Sequence, residues 1–472
     1  MMALRPTCHT VLKYFFFFFY QVHFIIKDRL SSIFLYNILT TLKLKENIGR
    51  DRASVRPQQR QLTVMLISAL EQILTTLVAD GVFGNVSYLG LEKDETELGA
   101  SCSADLTFVK MIVNENGKKE LPLVVKVRYG NPQVRKNRNL DAQFHNEVVM
   151  YKEVIPFLGA RNFYPQMFHA VSNIGDESEE DILILENLKY KNFLMPKQRV
   201  FLDIDHISVA IKKIAEFHSF SFILKHEDKE SFLRMTKKFK DVVFPPEIAH
   251  EFNIINAACI QRGIKPLLKD NVSVDLLTNC LSLLKNPFKT RDLIAFPEEP
   301  FGVICHGDYC NNNILYKFDE NDKPMDCIFF DFQFSTYGSV AIDIFFFLYL
   351  NTDAELREKY WDDILKLYWD TLRHCVPVHI NIPSYEDFLK HFAERVIYGY
   401  TIAAFFLPTM MEDIPYFGND TEVSTIEEKL AKVLSIGGEK AERKLTEIVL
   451  HLLDKDYIRP YIELCKYKKF EC

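Results

Sequence analysis

The sequence predicts an α+β fold in two lobes, a small β-rich lobe followed by a larger helical one. Three observations predict it. Two apolar runs, 104–113 and 121–128, are joined by Asn114-Glu115-Asn116-Gly117-Lys118-Lys119, and an Asn-Gly in such a connection signals a hairpin. From Asp205 onward the apolar spacing becomes mostly helical. Inside that helical half, two short apolar runs, 301–305 and 327–330, read as buried strands, and each ends in a polar motif.

In chain order, residues 1–61 read as an N-terminal extension expected to be poorly ordered. Tyr14 to Tyr20 is wholly aromatic, and 43–61 is polar and basic, as a linker is. Arg5 and Lys13 allow a signal peptide or anchor. The apolar stretch is too short and interrupted to span a bilayer, though, and no small-residue cleavage site follows it. Residues 62–79 carry a helical pattern stopped by Asp80-Gly81. Residues 89–98, rich in acidic side chains, read as a loop. Residues 141–158 read as a helix with Phe144, Val148, Tyr151 and Ile155 on one face. Residues 166–172 and 181–185 read as two more strands. The β-rich lobe is therefore 62–190 and the helical lobe 191–472, with helical spacing at 205–224, 339–350, 354–374, 385–407 and 425–453. The apolar run 396–411 contains Gly399 and Pro408 and reads as a buried core helix, so no stable membrane insertion is expected. Ligand pockets commonly lie in the cleft between two such lobes.

Composition narrows the function classes. The 472 residues are 48% hydrophobic and 26% charged, the balance of a globular chain with more than one domain. A net charge of −7 and a pI of about 6.0 argue against a nucleic-acid partner, which calls for a basic face. The ten cysteines are scattered with no CxxC pair, as in a reduced, cytoplasmic protein. Nothing in the sequence sets an oligomeric state.

The chemistry concentrates in His306-Gly307-Asp308-Tyr309-Cys310-Asn311-Asn312-Asn313 and in Asp331-Phe332-Gln333. An Asp at one strand end, an Asn five residues on and an Asp at the next strand end form the set that nucleotide phosphoryl transfer needs. One carboxylate orients the attacking hydroxyl, while an amide oxygen and a second carboxylate hold magnesium. Asp308 takes the first role, Asn313 and Asp331 the second. Each alone is more commonly a turn or strand-end residue. Lys126 lies in the otherwise apolar Leu123-Val124-Val125-Lys126-Val127, and a lysine in a buried strand needs an anion. A nucleotide phosphate and Glu147, on the following helix, are the candidates. Gly99-Ala100-Ser101-Cys102-Ser103 offers backbone N–H groups and the hydroxyls of Ser101 and Ser103 to phosphates. Glu186-Asn187-Leu188 closes a strand and is placed to bind a base through the backbone of Glu186 and Leu188. His218 reads as a structural helix histidine. Asp343 either bonds the Asp308 loop or favours its own helix N-terminus.

These motifs, with Tyr337-Gly338-Ser339-Val340-Ala341-Ile342-Asp343, Leu183-Ile184-Leu185-Glu186-Asn187-Leu188 and Glu216-Phe217-His218-Ser219-Phe220-Ser221, resemble the ecdysteroid kinase-like (CHK kinase-like) family. That family lies within the choline/aminoglycoside kinase group, and the resemblance covers about residues 65–455. It implies a protein-kinase-like bilobal fold. It also implies ATP- and Mg2+-dependent phosphate transfer to a hydroxyl of a small hydrophobic molecule, an ecdysteroid-like steroid or a xenobiotic alcohol. Asp308 is then the catalytic base, Asn313 and Asp331 hold magnesium, and Lys126, paired with Glu147, contacts phosphate. Three positions depart from the family pattern. Cys310 stands where Trp is usual, the loop at Gly99 lacks an Asn-aromatic pair, and Thr107 stands where Arg is usual. They support an alternative reading, a catalytically impaired pseudokinase that binds a nucleotide or another ligand.

Overall fold

In the computed structural model of the chain, the described residues are 57–94, 104–160, 162–174, 181–412 and 425–470, with side chains from Ser68 onward. The aromatic run at 14–20 and the loop holding Ser101 and Ser103 lie outside them.

The small lobe is a five-stranded antiparallel sheet. Helix α1 (Pro57–Ala79) begins before the expected Leu62 and stops, as expected, at Asp80-Gly81. It is followed by β1 (Ser87–Lys93), β2 (Ala104–Asn114) and β3 (Lys118–Arg128). The β2–β3 turn places Asn116 and Gly117 at positive φ, and Asn114 Oδ1 accepts from Gly117 N at 2.9 Å. The strand order is β1-β2-β3-β5-β4, completed by β4 (Met167–Val171) and β5 (Ile182–Glu186). Side chains alternate across the sheet. One face, with Val109, Met111, Val113, Val125 and Ile184, packs on Leu74, Leu77 and Val78 of α1. The other face turns Lys126 toward α3 (Leu140–Val149), which follows the short α2 (Pro132–Arg138). Helix α3 runs on through a π turn, Met150–Val154, and a last turn, Ile155–Leu158.

The loop expected at 89–98 is in part a strand. Among the described residues β1 is an edge strand, paired with β2 alone, with a register shift between Tyr88 and Gly90. Its residues alternate between exposed and half-buried, and Glu92 and Lys93 belong to an edge that keeps water on one side. Such a strand carries too little apolar patterning to stand out in the sequence.

After β5 the chain crosses to the helical lobe through the turn Leu188–Lys191 and β6 (Phe193–Leu194). The helices there are α4 (Ile204–Glu227), α5 (Lys229–Thr236), α6 (Pro246–Lys269), α7 (Val274–Leu283) and α8 (Pro287–Ala295). Four short strands come next: β7 (Gly302–Cys305), β8 (Ile314–Phe318), β9 (Pro324–Phe329) and β10 (Thr336–Ser339). They form two small antiparallel sheets, β6-β8-β9 and β7-β10. The chain ends with α9 (Ala341–Asn351), α10 (Ala354–Cys375), α11 (Tyr385–Ala393), α12 (Ile397–Glu412), α13 (Ile426–Ser435), α14 (Gly438–Asp454) and α15 (Ile458–Tyr467). The helices expected at 385–407 and 425–453 are thus each two helices. The second break falls at Gly437 and Gly438, both at positive φ. Helix α12, the apolar run 396–411, is buried against α9. Among the described residues no helix is long and apolar enough to cross a membrane.

Candidate active site

The Asp308 loop is set by its glycine and by Asp343. β7 pairs with β10, Cys305 opposite Thr336, so the loop leaving β7 runs close to the segment entering β10. Gly307 sits there at φ +82°, and a Cβ on it would lie 2.0 Å from the Phe334 carbonyl oxygen. Only glycine fits. Asp343, in the first turn of α9, accepts the backbone N–H groups of His306 and Gly307, each at 2.8 Å and one on each carboxylate oxygen. His218 Nε2 lies 3.1 Å from the same carboxylate, and its Nδ1 lies 2.9 Å from the Tyr368 hydroxyl. Of the two readings of Asp343, the structure selects the loop contact, and His218 supports it. His306 accepts at Nδ1 from Asp308 N (3.3 Å), and its Nε2 lies 3.0 Å from the Phe330 carbonyl. That pair of contacts suits a neutral imidazole, and burial lowers its pKa.

Asp308 is fully buried. Asn313 Nδ2 donates to its backbone oxygen at 3.0 Å and to Oδ2 at 2.5 Å, while Oδ1 has no hydrogen-bond partner. Burial pushes this carboxyl well above the ordinary aspartate range, and the nearby Asp331 charge adds to the push. Asn313 and Asp331 are carried to one end of the β8–β9 hairpin, Ile314 opposite Phe329, with Phe330 N donating to Asn313 O at 3.1 Å. Asp331 itself has φ +70°, a conformation Asp tolerates better than most residues.

Asp331 joins the two lobes. Its Oδ1 accepts from Lys126 Nζ at 2.9 Å and from Gln333 Nε2 at 2.6 Å. Lys126 Nζ also donates to both oxygens of Glu147, at 2.9 and 2.8 Å. All three charged groups are buried, with side-chain exposures of 7%, 2% and 7% for Lys126, Glu147 and Asp331. Burial pulls the Lys126 ammonium toward neutrality, but Asp331 and Glu147 outweigh it and hold its pKa above the ordinary lysine value. Burial raises the Glu147 carboxyl, only partly offset by Lys126. A ring cluster backs the site, with Phe332 packed on His306, Phe329 and Tyr151 at centroid distances of 4.9, 5.9 and 5.4 Å.

The structure therefore brings Asp308, Asn313, Asp331, Lys126 and Glu147 together between the lobes. Glu186 and Leu188 lie at the crossover: Glu186 pairs with Lys191 at 2.5 Å, and Leu188 is buried beside Phe193 and Ile328. Ser101 and Ser103 fall outside the described residues. Cys310, where the sequence departs from the family pattern, is a buried thiol beside Asp308; burial holds its pKa well above the ordinary value, and its hydrogen bond to Asp308 works against the rise of that carboxyl. Sequence reasoning gave no role to Gln333, the second donor on Asp331. The sequence offered only an amide two residues past that aspartate, in Asp331-Phe332-Gln333; its burial and its bond to Asp331 are seen in the fold.

The sequence model of the ecdysteroid kinase-like family matches residues 102–378, more than half of the chain. Among solved structures, the chain is similar to the apoenzyme of macrolide 2'-phosphotransferase MphH from Brachybacterium faecium. Identity is 12%, with 77% of this chain and 97% of that chain covered and a TM-score of 0.32. It is also similar to ADP-bound aminoglycoside phosphotransferase APH(2'')-Ib at 14% identity, with 63% and 94% covered and a TM-score of 0.25. No curated protein matches the sequence. On the extent of the family match, this chain belongs to the ecdysteroid kinase-like family.

Proposed function

We propose that the chain is a small-molecule phosphotransferase that moves the γ-phosphate of ATP, with magnesium, onto a hydroxyl of a hydrophobic alcohol. One observation carries the reading. A fully buried aspartate with an unpartnered carboxylate oxygen stands beside an amide and a carboxylate of the magnesium-binding type, and that carboxylate is tied to a buried Lys–Glu pair.

The donor set fits a divalent cation. Asp308, Asp331 and Glu147 place three buried carboxyl groups around the Lys126 ammonium; burial disfavours the charged forms of Asp308 and Glu147, and a bound cation would favour them. Asp331 and Asn313 would hold magnesium through oxygen atoms, the ligands it prefers. When bound, magnesium neutralises charge on the phosphate oxygens. Asp308 orients the acceptor hydroxyl and takes its proton as the new oxygen–phosphorus bond forms and the bond to the departing diphosphate breaks. Burial raises this carboxyl, and the ionised form of a carboxyl with a raised pKa is a stronger proton acceptor than an ordinary aspartate. Lys126 contacts phosphate, and Glu147 keeps it aimed. The backbone of Glu186 and Leu188 takes the base, and Ser101 and Ser103 cover the phosphates.

Family membership supports a hydroxyl acceptor of the steroid or xenobiotic kind, and the aromatic-rich helical lobe suits a hydrophobic one. The free thiols among the described residues, Cys259 and Cys327 included, suit a reducing compartment and support a cytoplasmic location. The test is calorimetric titration with ATP in the presence and absence of magnesium. Wild type binds Mg-ATP, and Asp331→Asn, which removes an anionic ligand, weakens the magnesium-dependent part. Wild type that binds no nucleotide refutes the reading.

A further inference from the structure

Glu147 is aimed at Lys126 by α3, and α3 is itself held from the helical lobe. Residues 237–244, between α5 and α6, lie along this helix and bond it at several points. Asn146 is 1% exposed, and both ends of its amide bond that segment. Lys240 N donates to Asn146 Oδ1 at 2.7 Å, and Asn146 Nδ2 donates to Lys240 O at 3.0 Å. The same Nδ2 reaches Gln333 O at 3.5 Å, in the turn that presents Asp331. Asn139, which joins α2 to α3, donates to Val243 O at 3.0 Å and Asp241 O at 3.4 Å. Past the end of α3, Glu153 pairs with Lys238.

We infer that Asn146 is a positioning residue: it locks α3 to the helical lobe and to the Asp331 turn, so that Glu147 stays on Lys126. Neighbouring helix positions point about 100° apart. Asn146 therefore faces the 237–244 segment and the Asp331 turn while Glu147 faces the sheet. A rotation or outward shift of α3 that parts Glu147 from Lys126 must first strip a buried amide from Lys240 N, Lys240 O and Gln333 O. Leaving such groups unpaired is costly. The two lobes thus share one element, and the geometry of Lys126 depends on a residue whose own hydrogen bonds go to Lys240 and Gln333. This inference rests on the phosphotransferase reading.

The test is a double-mutant cycle on the full chain with Asn146→Ala, Glu147→Gln and the pair, reading KM and Kd for Mg-ATP, kcat and melting temperature. Asn146→Ala is expected to raise the nucleotide KM about tenfold, the scale of one or two lost buried hydrogen bonds. The pair should be no worse than Glu147→Gln alone, because both act through one ion pair. A lowered melting temperature with unchanged KM, or effects that add, overturns the inference. If Asn146→Ala does not fold, Asn146→Asp keeps the shape and the acceptor for Lys240 N, loses the donor to Lys240 O and Gln333 O, and enters the same cycle. Wild type that binds no Mg-ATP removes the underlying reading. Wild type that binds it, with both Asn146 variants unchanged in KM, removes the inference alone.

Discussion

Replacing Lys126 with methionine keeps a long unbranched side chain, one atom shorter, and removes the ammonium bonded to both Glu147 and Asp331. Two carboxylates, 2% and 7% exposed, are then left buried without it. Breaking a buried ion pair by removing one partner costs about 3–5 kcal/mol, out of a typical total stability of about 5–15 kcal/mol. At roughly 2–4 °C per kcal/mol for a domain of some 150–250 residues, melting should fall by on the order of 10 °C. The pH dependence has a definite sign. Burial already raises Glu147, to about 7, and loss of the lysine raises it further. A carboxyl raised in the folded state weakens folding above its unfolded pKa, and the penalty is relieved as pH falls through the folded value. Scanning calorimetry at pH 7.5 and pH 5.5 should therefore show a wide gap between wild type and Lys126→Met at the higher pH and a narrower one at the lower. Lys126→Met/Glu147→Gln, with one stranded charge fewer, should recover part of the loss. A variant melting within about 1 °C of wild type at pH 7.5, or a gap that widens on acidification, refutes the claim that these charges are desolvated and mutually held.

Gly307→Ala should destabilise by about 3–5 kcal/mol, because it adds a Cβ 2.0 Å from the Phe334 carbonyl oxygen at a left-handed φ; denaturant melts check this. Asp308→Asn should melt at or above the wild-type temperature at pH 7.5, with the difference fading on acidification, since burial raises the wild-type carboxyl and the amide escapes that penalty. A chain starting at Leu62 should fold and melt like the full-length protein, because the buried α1 residues Leu74, Leu77 and Val78 lie beyond the cut. Circular dichroism of both proteins checks it.

Local chemistry explains what could be read in advance. The β2–β3 hairpin was legible because Asn116-Gly117 specifies its own turn, and β7 and β9 because short apolar runs end abruptly in polar motifs. β1 was not, because an edge strand need not be apolar on both faces. The breaks before α12 and α14 were not, because apolar spacing continues across them while the backbone turns. In the site, spacing grouped Asp308, Asn313 and Asp331 as one set, and a lysine in an apolar strand asked for an anion without saying which; the Lys126–Glu147 contact itself became visible only in the fold. Asp343 stayed ambiguous until its partners were known, since they are backbone N–H groups 36 and 37 residues away. Asn146 was invisible for the same reason: its partners are backbone atoms 94 and 187 residues distant.

The central claim, that the site around Asp308 transfers phosphate to an alcohol, is tested most directly by following labelled γ-phosphate from Mg-ATP. Wild type and Asp308→Asn are each given a panel of hydroxylated steroids and plant alcohols. The account predicts a labelled alcohol with wild type. With Asp308→Asn it predicts a rate lower by roughly 10²–10⁴-fold, the range for a general base, with nucleotide affinity little changed. Wild type that binds Mg-ATP but labels nothing, or an Asp308→Asn variant that transfers at the wild-type rate, contradicts it.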